Sequence, residues 1–73
     1  MENSVVAKNA RRIIEERGLK QVRVAERANI PAKVFNHLLC GRKVMRDIEI
    51  IAIANALDVT PNELFQWPEN PPA

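Results

Sequence analysis

Near the N-terminus, Val6, Ala7, Ala10, Ile13 and Ile14 recur three and four residues apart. That spacing puts them on one stripe of an amphipathic helix. Asn3 or Ser4 supplies its cap, and Gly18 after Arg17 is its stop signal. A second helix is predicted from Gln21 to Ala28, burying Val24, Ala25 and Ala28. Asn29 ends it, because asparagine tolerates the left-handed backbone of a tight turn. Ile30 precedes Pro31 and is pushed to an extended conformation. Pro31 then takes the first position of a third helix, where its missing N–H costs nothing. This helix runs to about Leu39 or Cys40, and Gly41 stops it.

After a basic loop, "GRKVMR", comes the isoleucine-rich run "DIEIIAIANAL". "IEII" alone fits a strand as well as a helix. The length of the run, with Ile50, Ile53, Ala54 and Leu57 at helical spacing, favours a fourth helix. "TPNEL" opens a fifth, with Thr60 as cap, Pro61 first and Glu63 closing a capping box. It ends near Gln66, because "WPENPPA" carries three prolines. The pattern predicts an all-α domain over 1–66 and a short proline-rich tail over 67–73.

The third helix divides on a wheel of 3.6 residues per turn. Val34, Phe35, Leu38 and Leu39 fall on one side. Lys33, Asn36, His37 and Cys40 fall on the other, at i, i+3, i+4 and i+7. The apolar half packs inward, and the polar half presents hydrogen-bond donors on a short exposed surface.

Composition changes this picture little. Seventy-three residues make one small domain, and a single cysteine excludes a disulfide framework and fits a reducing compartment. No apolar run approaches the roughly 18 residues of a membrane-spanning helix, and the N-terminus lacks the order of a signal peptide. The expectation is a cytoplasmic protein. Eleven Lys and Arg against nine Asp and Glu give +2 and a pI near 9.1. Their distribution says more than their sum. Lys8, Arg11, Arg12, Arg17 and Lys20 form one cluster; Arg42, Lys43 and Arg46 form another.

Enzymatic chemistry finds no foothold. Glu15 and Glu16 are adjacent and point to different sides of a helix. No nucleophile is paired with a base, no glycine-rich phosphate loop occurs, and nothing calls for a cofactor or a small-molecule substrate. His37 has only Cys40 near it at ligand spacing, which does not make a metal site. Cys40 reads as an inert small side chain in preference to a redox switch. RNA binding lacks a stacking platform: the aromatics are Phe35, Phe65 and Trp67, and both phenylalanines read as buried.

Five short helices, the second and third joined by a tight turn, describe a helix-turn-helix domain. "ERGLKQVRVAERANI", "LLCGRK" and "IANALDVTPNELF" together resemble the lambda repressor and Cro family, also called XRE-type, from about Arg11 to Phe65. The resemblance implies a compact five-helix, all-α, lambda-repressor-like fold. It also implies sequence-specific binding of duplex DNA, usually as a dimer, to control transcription in the manner of a repressor. In such domains the third helix enters the major groove and the start of the second touches phosphate. On this chain the resemblance puts Gln21 at the phosphate-contact position and Ala32, Lys33 and His37 at base-facing positions, with Asn36 beside them. Lys20 adds a basic group near the phosphate site. Arg42 and Lys43 lie in the loop that follows the DNA backbone.

The chain departs from the family pattern at Lys20, where a capping residue is usual, and at Asn29, where the turn glycine is common. Pro31 replaces a polar residue at the start of the third helix. Ile14 and Leu39 stand where many relatives pair an arginine with a glutamate, and the joint change keeps the fold. Each DNA-facing residue also has a plainer reading as a solvated surface side chain.

On the fourth helix, Ile48 and Ala52 lie opposite the inward side, with Ile51 at the margin. With Trp67 they are the expected homodimer interface; the competing expectation packs Ile48 and Ile51 under the first helix and has Trp67 cap the core. The rival function is a protein-interaction module on the same fold, of the antitoxin or anti-repressor kind.

Overall fold

The structure is a computed structural model, and it describes residues 4–66. Five helices follow one another: α1 (Ser4–Glu16), α2 (Gln21–Ala28), α3 (Ala32–Leu39), α4 (Asp47–Leu57) and α5 (Pro61–Phe65). No strand occurs among the described residues, so the run "IEII" is helical. Its isoleucines cost helix propensity, but Ile50, Ile53, Ala54 and Leu57 are buried at helical spacing and burial prevails.

α2 packs most extensively on α4 and α1 on α5, while α1 also meets α3 and α4. Phe35, Leu38, Ile53 and Leu64 are fully buried at the centre. Six alanines (Ala7, Ala10, Ala25, Ala28, Ala54 and Ala56) share that core. Small side chains allow the short helices to approach closely, so a few large residues suffice to fill the space between them.

Four helices leave their last turn the same way. Gly18, Asn29, Gly41 and Asp58 each adopt positive φ, between 61° and 80°. In every case that residue's N–H and the next one's reach back to the final turn: Gly18 to Glu15 and Leu19 to Ile14; Asn29 to Glu26 and Ile30 to Ala25; Gly41 to Leu38 and Arg42 to His37; Asp58 to Asn55 and Val59 to Ala54. These are Schellman motifs, which satisfy carbonyls that the helix end leaves open. No atom crowds the missing Cβ of Gly18 or Gly41, so their φ alone accounts for glycine there.

Of the helix starts, that of α3 differs from expectation by one residue. Pro31 is the N-cap of α3 and not its first residue: its ψ of 140° is still extended, while its carbonyl accepts from Phe35 N–H at 2.9 Å. At α2, Lys20 makes no side-chain cap. At α4, arginine has no acceptor to offer, so only the Glu49 carboxylate acts, accepting the Arg46 backbone N–H at 2.9 Å. Thr60 caps α5 by accepting from Glu63 N–H at 3.3 Å. The alternative cap Asn3 lies outside the described residues.

Three side chains outside α3 add to or depart from the sequence reading. Met45, in the loop read only as basic, is buried. Phe65, read as buried, is 53% exposed: Leu64 takes the inward position on α5, and its neighbour turns outward. Asn9 is fully buried on α1.

Candidate nucleic-acid interface

α3 is positioned from beneath. Phe35, Leu38 and Leu39 are buried, and Val34 is half-buried against the same core. Ala32, Lys33, Asn36 and Cys40 are consequently exposed on the other side. His37, expected on the exposed face, is half-buried. It follows Val34 by three positions and so borders the apolar side of the helix.

Gln21, the first residue of α2, is exposed and reaches across to α3. Its Nε2 donates to Asn36 Oδ1 at 3.4 Å, and Cys40 Sγ lies 3.5 Å from the same oxygen. The bond to Gln21 is long, yet it joins the start of α2 to the polar face of α3 in one surface. Lys20 precedes it, exposed, with φ −94° and ψ 131°. The first turn of α2 lacks a side-chain cap, and a lysine stands beside its positive dipole end.

The exit of α3 is unlike the other three. After α1, α2 and α4, the residue following the left-handed position is Leu19, Ile30 or Val59, each packed on the core. An apolar residue there commonly completes the motif by contact with the last turn. After α3 that place belongs to Arg42, which is exposed, as is Lys43. The backbone geometry is the same, but the apolar anchor is exchanged for a cation. The pairs GL, NI, GR and DV carry this signal in the sequence.

The family model for the Cro/C1-type HTH DNA-binding domain matches residues 10–70, more than half of the chain. The chain belongs to that family. No curated protein and no solved structure matches the chain. The Cro/C1-type domain thus brings Gln21, Lys33, Asn36 and Arg42 onto α2, α3 and the turn after it.

The basic cluster over 8–20 does not act as one. Arg17 donates to the carbonyl of Leu57 at 2.6 Å and so holds the end of α4. Arg12 bonds Glu16 at 3.2 Å and also donates to Asn9 Oδ1. Lys8 and Arg11 instead rim an open cleft with Glu15 and Gln21, floored by Ile14 and Leu39. Spacing alone did not separate these roles, because the partners of Arg12 and Arg17 depend on how the helices pack.

The surface of α4 carries Ile48 and Ile51, 68% and 50% exposed, with Ala52 half-buried behind them. They do not pack under α1, which overturns that half of the competing expectation. Trp67 lies outside the described residues. Among the described residues no helix is long and apolar enough to cross a membrane, and no three of His, Cys, Asp and Glu gather as metal ligands do.

Proposed function

We propose that this Cro/C1-type domain is a cytoplasmic, sequence-specific regulator of transcription, repressor-like, that binds duplex DNA as a homodimer with α3 in the major groove. The observation that carries the reading is the exposed polar side of α3, fixed by three buried residues and linked through Asn36 to Gln21. Lys33 reads guanine through N7 and O6, while Asn36, Ala32 and His37 complete the groove contacts. Lys20, Gln21, Arg42 and Lys43 hold the phosphates and fix the register. A neutral loop would complete the fold equally well, so Arg42 at an apolar motif position favours an anionic partner.

Selection of bound sites from a random duplex library tests the reading. Lys33→Ala then costs about 1–3 kcal/mol on the selected site and relaxes preference at one base pair. Arg42→Ala weakens all sequences alike and flattens the salt slope by about one unit. If the library yields no enriched site, or neither change alters affinity, the groove assignment is wrong. A second reading, a partner-binding module of the antitoxin or anti-repressor kind, draws on the exposed Ile48 and Ile51. It predicts no salt-sensitive retention on generic duplex DNA, against the weak, steeply salt-dependent retention of a DNA binder.

A further inference from the structure

Asn36 stands on the exposed side of α3 with a hydrogen-bond donor on either hand. Gln21 Nε2, on α2, is 3.4 Å from its Oδ1, and Cys40 Sγ, at the end of α3, is 3.5 Å from the same oxygen. A carbonyl oxygen has two lone pairs, and these two donors occupy both. What Asn36 offers the groove is its Nδ2, with N–H donors and no acceptor. The rest of that side agrees. Lys33 has only donors and Ala32 has no hydrogen-bonding side chain. Half-buried His37 lies at the margin, and no Asp or Glu occurs over 32–43.

The purines differ in what they set against such a surface. In the major groove guanine shows two acceptors, N7 and O6, whereas adenine shows the N7 acceptor beside an N6 amino donor. Asparagine reads adenine by donating to N7 while its own oxygen accepts from N6, which needs that oxygen free. We propose that Gln21 and Cys40 are positioning residues that hold Asn36 in a donor-only state, so that α3 selects guanine over adenine at the base pair Asn36 meets. This rests on the DNA-binding reading above and names the base taken there. Lys33 is three residues away, about 4.5 Å along the helix, close to the duplex step of about 3.4 Å. The guanines of Lys33 and Asn36 therefore fall on neighbouring base pairs.

Sites selected from a random duplex library by the parent and by Asn36→Ala locate the base pair in question. Anisotropy then compares four duplexes that differ only there, using the full chain as parent, Cys40→Ala, Cys40→Ser and Lys33→Ala. Circular dichroism confirms that each variant is folded; all three positions are exposed. The parent should bind the guanine duplex at least about fivefold more tightly than the adenine duplex, the lower end of what one good base contact discriminates. Cys40→Ala frees a lone pair for adenine N6 and should shrink that ratio by about twofold to tenfold, the worth of one hydrogen bond. Cys40→Ser puts another donor in the same place and should keep the ratio. Lys33→Ala should weaken binding and leave the ratio unchanged. A parent that prefers adenine there overturns the donor-only state and spares the groove reading. So does a ratio that Cys40→Ala does not move, or one that Cys40→Ser loses as fully as Cys40→Ala does. A selection that yields no enriched site overturns both.

Discussion

Asn9 sits at 0% exposure, and its Nδ2 donates to the carbonyls of Leu64, at 2.7 Å, and Gln66, at 2.6 Å. Two acceptors on one side fix which end of the amide faces them; Oδ1 is left to accept from Arg12 at 3.3 Å. The side chain thus ties α1 to the open C-terminal carbonyls of a five-residue helix that could not hold itself. Asn9→Ala strands the buried Leu64 carbonyl and costs about 1–3 kcal/mol, which in a domain this small lowers Tm by about 4–8 °C for each kcal/mol. Asn9→Asp keeps the shape, removes both donated bonds and brings a carboxylate against two carbonyls, so it must melt below Asn9→Ala. If Asn9→Asp melts with the parent, the bonds contribute nothing and the role is packing. The sequence held a hint here: Asn9 follows Val6 by three residues and precedes Ile13 by four, on the apolar stripe itself. Met45 gave no such hint, because helical periodicity does not reach into a loop.

Among the elements, boundaries were legible wherever backbone chemistry restricts the residue, and less so where packing decides. Gly18, Asn29 and Gly41 mark three helix exits in the sequence, and each takes the left-handed conformation. Asp58 makes the fourth exit unannounced, since aspartate is also common at helix starts and turns. The start of α3 fell one residue from expectation for a similar reason: proline suits an extended cap as well as a first turn. The side of α3 that faces away from the core followed from spacing alone, except for half-buried His37 at its margin. Which arginines point to solvent and which hold carbonyls did not follow, because α1 meets its partners only after folding. The α1–α3 contact itself is open to measurement. Ile14 and Leu39 are 8% and 2% exposed and floor one cleft. Ile14→Arg puts a cation against Leu39 beside Lys8 and Arg11, at a cost of ~3 kcal/mol, the lower end for a broken buried pair because the cleft admits some water. Adding Leu39→Glu should return part of that loss. A double-mutant cycle on chemical denaturation with no coupling between the two positions would remove the contact.

At the scale of the whole molecule, the outer side of α4 leaves apolar surface without cover. Ile48 is 68% exposed and Ile51 50%. Ile48 also borders a shallow groove lined by Ile30, Pro31, Val34 and Ala52, between the α2–α3 turn and the start of α4. Isolated exposed apolar residues are ordinary, but neighbours that continue into an apolar groove mark an interaction surface. Under the proposed DNA-binding function, a second copy of the chain is the expected partner. One short α3 reads a few base pairs, whereas two linked copies read half-sites about one helical turn apart, and coupling raises affinity without any new contact to DNA. The expected result is a dimer by sedimentation over a concentration series. Ile48→Glu should weaken it by at least about tenfold, as loss of a central apolar anchor does. Ile51→Glu should act in the same direction but less, since that side chain is less exposed. In the bound state, both variants should still contact a single half-site, with the advantage of the second half-site lost. A parent that stays monomeric at high micromolar concentration and occupies one half-site rules the dimer out. A parent dimer that Ile48→Glu leaves intact keeps the association and moves its interface off α4.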